Sequence, residues 1–326
     1  MARDPLVLDN SILAGTAKCD TFAYVRYALG LATRGESLPL IAGQSVHAGL
    51  AVWLEGGTPD DASAAVEQDY RRKLSAYLTS IERDQLPPED KRFEDSWVVG
   101  VAHQYMTRYD DRRPFKFVQA TAERPILHEF GMTARWSKRP IIYSARLDGV
   151  VRKWETGGQW SLDWKTTRRI TEYWTGKQKV SSQFSGQIWL GRESLHTELA
   201  GVIVVGIEIP DPHKSENKCK DHKVSYQECS IRHAGDTILY ITRAPREMES
   251  WRYSAARLMN RYDRLLLTAK EEGIEGVDTV QMQGRFNDSC SWCSMAKWCL
   301  LGRNTSKAAI RATFTESPWD PTALPD

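Results

Sequence analysis

An acid and a lysine flank a tryptophan at Asp163-Trp164-Lys165, and a further acid stands upstream in Arg146-Leu147-Asp148-Gly149-Val150-Val151. The run Trp160-Ser161-Leu162-Asp163-Trp164-Lys165 alternates as a strand does, so Asp163 and Lys165 project to one face. Gly157-Gly158 marks a hairpin turn before it, which lets Asp148 join them from the preceding strand. Two convergent carboxylates suit a hard divalent cation such as Mg²⁺ or Mn²⁺, which keeps water and substrate phosphate in its other positions. Such a cation polarises a phosphodiester and helps to generate hydroxide. Lys165 could orient the attacking water or stabilise the charge that builds on phosphate. The triplet alone is cheap, since Glu89-Asp90-Lys91, Glu216-Asn217-Lys218 and Asp221-His222-Lys223 repeat it in polar, loop-like sequence. Only Asp163-Trp164-Lys165 falls on a predicted strand with another acid on the strand before. The competing reading is structural, with Asp148 supporting the Asp148-Gly149 bend and Asp163 and Lys165 forming a surface pair.

A second chemical signal lies at the two ends of the chain, with Cys19 near the start and Cys290, Cys293 and Cys299 near the finish. Close spacing lets one loop turn supply three thiolates, and Cys19 is the candidate fourth. Four thiolates suit a [4Fe–4S] cluster or tetrahedral zinc, and spacing does not separate the two. Closing the chain in this way would pin the N-terminal helix beside the C-terminal segment. Cys219, His222, Cys229 and His233 form a weaker constellation, because strand alternation would put Cys229 and His233 on one face without any metal.

These residues need a scaffold, and the pattern supplies one. Helices are expected near residues 16–30, 43–55, 59–78 and 97–109, so the first third is largely helical. His47 sits on the second of these, among Val46, Leu50, Val52 and Trp53, where a packed core histidine competes with a ligand. Strands are expected at 115–120, at 141–147 with 150–154 extending it, at 160–165 and at 201–209. Ser182 to Leu190 reads as a helix carrying Gln183 and Gln187, residues 210–222 as an exposed loop, and 224–232 as a strand. A long helix spans roughly Arg246 to Glu271, and the proline-bearing residues 303–326 read as a loosely held tail. This is a mixed α/β core in one domain, 1–302, comprising a helical part (1–112), a catalytic core (113–245) and a helix with a metal-cluster segment (246–302).

With 44 basic and 42 acidic side chains and 41% hydrophobic residues, the chain can bury a sizeable core, and any nucleic-acid surface must be a local patch. Arg146, Arg168, Arg169, Trp174, Lys177 and Lys179 form such a patch near the acidic pair. Cations can track phosphates while aromatics stack on exposed bases. No stretch approaches the roughly 20 apolar residues that span a bilayer, and the start lacks an apolar signal core. A cytoplasmic location without membrane association is the expectation. No Walker-type phosphate loop is present, so any motor activity would come from a helicase or recombination partner.

The order His47, Asp148, Asp163-Trp164-Lys165, Gln187, then Cys290, Cys293 and Cys299 resembles the RecB-like branch of the PD-(D/E)XK nuclease superfamily. The likeness is to its iron–sulfur members, such as the CRISPR-associated adaptation exonucleases, the AddB nuclease domain and phage relatives. It spans Cys19 to Cys299 as scattered motifs. Ala145 stands near where the family has glycine, and Gly191 replaces the tyrosine that follows the glutamine, which leaves Gln183 as the alternative to Gln187. The resemblance implies a restriction-endonuclease-like sheet and a site of Asp148, Asp163, Lys165 and Gln187. It also implies that His47, Asp148 and Asp163 hold Mg²⁺ or Mn²⁺, and it favours the cluster over zinc at the four cysteines. The implied activity is metal-dependent hydrolysis of DNA, exonucleolytic at single-stranded or free ends. The rival is a cluster-stabilised DNA-binding or recombination-partner module that cuts nothing.

Overall fold

The computed structural model describes residues 4–33, 37–80, 93–111, 115–119, 125–153, 156–195, 198–211, 219, 223–277, 280, 290, 293, 295–299 and 303–323. A first strand β1 (Leu6–Asp9) runs into α1 (Asn10–Lys18), whose N-terminus is capped by Asp9 accepting from the Ile12 N–H at 2.9 Å. Such a cap contributes about 1 kcal/mol. Helix α2 (Asp20–Ala23), a π-turn over Tyr24–Ala28 and β2 (Leu31–Thr33) follow. The helical part is α3 (Leu38–Leu54), α4 (Pro59–Ser80) and α5 (Asp95–Tyr109). Their buried Ile41, Leu50, Trp53, Val66, Tyr70 and Val98 close over one face of the main sheet.

That sheet has the order β3-β6-β7-β8-β9, formed by β3 (Phe115–Gln119), β6 (Gly149–Lys153), β7 (Gln159–Thr167), β8 (Leu199–Glu208) and β9 (Asp236–Ile241). A smaller sheet, β1-β5-β4, contains β4 (Ile126–Thr133) and β5 (Pro140–Ala145). Strands β7 and β8 are parallel, joined by α6 (Glu172–Lys179) and α7 (Ser182–Ser194). Beyond β8 come α8 (Tyr226–Arg232) and the long α9 (Pro245–Glu272), which stops at Gly273 with φ of 56°. The second core cluster joins α1, α7 and α9 to the other face of the main sheet through Ile12, Phe184, Ile188, Val202, Val204, Met259 and Leu265. This is a mixed α/β architecture of the restriction-endonuclease type, with cysteines in its C-terminal segment.

Three expectations need correction. The strand expected to run from 141 through 154 breaks at Arg146–Asp148, so that β5 joins the small sheet and β6 the large one. The stretch expected as a strand near Val224 to Arg232 instead contains α8. The Ser225 side chain accepts from the Glu228 N–H, and this cap outweighs the apparent alternation. The tail is not loose. It contains α11 (Arg303–Thr313) and β10 (Phe314–Glu316), which follow the short α10 (Ala296–Cys299), and β10 pairs with β2. Ile310 and Phe314 are buried, Trp319 Nε1 donates to Asp9 Oδ2 at 3.0 Å, and Ser144 Oγ donates to the Pro321 carbonyl at 2.8 Å. The two ends of the chain are therefore clasped by a short sheet. Among the described residues, no helix is long and apolar enough to cross a membrane.

Candidate active site

The break between β5 and β6 builds the first half of the site. Gly149 pairs with Leu162, so β6 begins too late to offer the Trp164 N–H a ladder acceptor. Asp148, immediately before the strand, fills that place, and its Oδ2 accepts from Trp164 N at 2.7 Å. Its Oδ1 faces His47 Nδ1 at 3.3 Å. His47 arrives from α3 because Gly43, one turn earlier, lets the helix lie directly on β7. A Cβ there would stand 2.8 Å from Thr166 Oγ1. The His47 ring meets the Trp164 indole edge-on with centroids 6.4 Å apart. The His47 side chain is 32% exposed.

The second half centres on Asp163, whose side chain is only 4% exposed. Lys165 Nζ lies 2.7 Å from its Oδ2, the two residues sharing a face as strand neighbours i and i+2. Its Oδ1 accepts from Gln187 Nε2 at 3.0 Å and from Gln183 Nε2 at 2.8 Å. Ser161 Oγ in turn donates to Gln187 Oε1 at 3.4 Å. Gln183 and Gln187 are one turn apart on α7, and both hold the same oxygen. Helix α7 comes this close because Gly186 leaves room for Tyr143, whose hydroxyl would be 2.1 Å from an added Cβ. Ser161 and the Trp164 N–H were not singled out from sequence. Gln183 entered only as the alternative left by Gly191 standing where the family has tyrosine.

The two acids are driven in opposite directions. Burial disfavours ionisation of Asp148, but the His47 ring, Lys165 and the Trp164 N–H together hold its pKa below the usual value. At Asp163 burial dominates, and with Asp148 adding repulsion the pKa is raised despite Lys165. Burial also opposes charge on His47 and Lys165, yet Asp148 raises the one and Asp163 with Asp148 the other. The donor set of two carboxylates and an imidazole fits a hard divalent cation, and a cation would relieve the burial penalty on Asp163. Among the described residues, no three His, Cys, Asp or Glu side chains are already arranged as a metal centre. Here Lys165 and the glutamine amides take up the Asp163 oxygens, while Asp148 faces His47.

Residues 11–300 match the family model of the PD-(D/E)XK nuclease superfamily. The chain belongs to that superfamily. No curated protein matches it. It carries the fold of that superfamily of nucleases, and in it Asp148 accepts from the Trp164 N–H while Lys165 and Gln187 both engage Asp163.

The remaining candidates are distributed more widely. Cys19 joins α1 to α2, its N–H bonded to the Gly15 carbonyl at 3.1 Å. Cys293 N–H donates to the Cys290 carbonyl at 3.2 Å, and Cys299 N–H to the Met295 carbonyl at 3.1 Å. The side chains of Cys293 and Cys299 pack against the same cluster as Ala23 and Tyr24, just after Cys19. Of the weaker constellation, His222 lies outside the described residues. Cys229 and His233 are one helical turn apart, the His233 N–H bonded to the Cys229 carbonyl at 3.0 Å. In the basic segment, Arg168 is engaged by Asp211, its Nε 2.9 Å from Oδ2. Trp174 packs on β8, where its ring would stand 2.5 Å from a Cβ at Gly206. Arg146, Arg169, Lys177 and Lys179 are exposed.

Proposed function

We propose that this chain is a Mg²⁺- or Mn²⁺-dependent deoxyribonuclease that hydrolyses phosphodiester bonds at DNA ends, as an exonuclease in DNA processing, repair or recombination. The observation that carries the reading is the direct linkage of His47 to Asp148 and of Lys165, Gln183 and Gln187 to Asp163 around one hairpin. Asp148, Asp163 and His47 would hold the metal, which when bound polarises the phosphate and lowers the pKa of water. Lys165, 30% exposed beside the buried acid, orients the attacking water or balances charge on phosphate. Gln187 and Gln183 hold Asp163 in place by donating to its Oδ1, since a carboxylate can only accept. Arg146, Arg169, Lys177 and Lys179 offer exposed cations to phosphates, while Arg168 and Trp174 act through the scaffold.

Cys19, Cys290, Cys293 and Cys299 are proposed as ligands of a [4Fe–4S] cluster, with zinc as the alternative. The support is their spacing and the shared core under Cys293, Cys299 and the helix after Cys19. The cluster would reinforce the clasp between the chain ends.

The test is anaerobic purification, a visible spectrum, and incubation of end-labelled DNA with Mn²⁺ beside Asp163→Ala and Lys165→Ala. Brown protein whose cutting is abolished in both variants supports the reading. Brown protein that binds but never cuts would favour the recombination-partner module, and colourless active protein would replace the cluster with zinc.

A further inference from the structure

Helix α6 stands beside the catalytic strand in a way that its sequence does not disclose. Lys165 pairs with Gly206 across the parallel β7–β8 ladder, and partners in such a ladder present their side chains on the same face. Trp174 covers Gly206 on that face. It packs there on the cluster containing Val204, the ladder partner of Asp163. Helix α6 is thus seated on the Lys165 face, one strand away, a spacing of about 4.8 Å. Both ends are fastened. Thr171 Oγ1 accepts from the Trp174 N–H at 3.1 Å, and Arg243 donates to the Lys179 carbonyl at 2.7 Å and to Ser185 Oγ at 3.0 Å.

The opposite side of this rigid helix is bare. Tyr173 and Val180 are each 82% exposed, and the exposed Lys177 lies between them. Their spacing of four and three residues makes one stripe. Arg169 and Lys179 add exposed cations next to it, against the single acid Glu172. An aromatic face flanked by cations matches the demands of a splayed nucleic-acid strand, which stacks bases on rings and lays phosphates against ammonium groups. The stripe is too small and too interrupted by charge for a stable protein interface. Asp163, recessed to 4% exposure, also calls for a strand that has left its duplex.

We propose that Tyr173, assisted by Lys177, is a stacking rung that receives single-stranded nucleic acid beside the Asp163–Lys165 centre and makes single-stranded or frayed ends the preferred substrate. This rests on the nuclease reading for its purpose, but its test does not. Fluorescence anisotropy in EDTA, where no metal-dependent cutting occurs, would compare a labelled oligothymidylate with a blunt hairpin duplex. Tyr173→Ser should weaken oligothymidylate binding by about 5- to 100-fold and leave hairpin binding nearly unchanged. Tyr173→Trp should restore the affinity, because any aromatic face can stack. Lys177→Ala should lower the slope of log affinity against log salt by about one. Equal affinities for wild type and Tyr173→Ser, or equal losses on both ligands, would overturn the proposal. Tyr173-dependent binding by a protein that never cuts would keep the rung and remove the nuclease reading. Cutting with no preference for frayed ends and no dependence on Tyr173 would do the reverse.

Discussion

At the acidic centre every carboxylate oxygen of Asp148 and Asp163 faces an N–H or a cation, supplied by adjacent strands and by helices packed on opposite faces of one sheet. At the cysteine segment Cys290, Cys293 and Cys299 lie on turns and a short helix near the end of the chain, with Cys293 and Cys299 packed against the core. The contrast teaches that the fold itself prebuilds the acidic centre. A thiolate site drawn from both chain ends, as proposed, would depend on whatever holds those ends together. In this molecule the β2–β10 pairing with buried Phe314 does so, together with the Trp319–Asp9 and Ser144–Pro321 hydrogen bonds.

The largest effect should come from breaking the prebuilt site. Asp163→Asn or Lys165→Ala should lower single-turnover cleavage by at least about 100-fold, with circular dichroism unchanged. Loss of less than a few fold would mean that the centre lies elsewhere. Next, Phe314→Ala should cost about 3–5 kcal/mol in urea unfolding and, if the proposed cluster is bound, reduce its visible absorption. Mn²⁺ affinity at the acidic centre should persist, and parallel loss of both sites would erase the contrast.

Gln187→Ala should slow cleavage by about 10-fold or a little more, the low end of what a hydrogen bond to a charged group contributes. Gln183→Ala should do less, because Gln187 is 1% exposed while water can replace the half-buried Gln183. A larger loss for Gln183 would reverse their ranking.

The smallest effect belongs to a polar cluster outside both regions. Asp69 accepts from Ser45 Oγ at 2.8 Å and pairs with Arg72 and Lys73. Partial burial opposes its charge, but these partners lower its pKa. Its contribution is therefore full above the unfolded value of about 3.9 and fades as pH falls through the lowered folded value. Urea midpoints from pH 6 to 3 should show Asp69→Asn less stable by no more than about 1 kcal/mol, the gap closing toward pH 3. A gap as large at pH 3 as at pH 6 would exclude this ionic cause.

The parts of the site set by short periods were legible in sequence. Period-two alternation placed Asp163 and Lys165 on one face, and Gly157-Gly158 marked the hairpin that brings Asp148 across. What escaped was set by competition between neighbours. The β5–β6 break is invisible in a continuous apolar run because it depends on which sheet captures each half. The 224–232 segment alternates like a strand, yet Ser225 and Glu228 cap it as a helix. The prolines after Glu316 suggested a loose tail, but they follow Ile310 and Phe314, which the core buries. Strand β4 was missed because only its Phe130 is fully buried.

The most direct test is Mn²⁺ titration followed by electron paramagnetic resonance, comparing wild type with Asp148→Asn, Asp163→Asn and the double variant. The account predicts that wild type depletes the free-ion signal, that each single variant weakens binding by about 10-fold or more, and that the double variant binds no Mn²⁺ at this site. Undiminished binding by the double variant would contradict it, because the metal would then be held without the two acids around which the site is built.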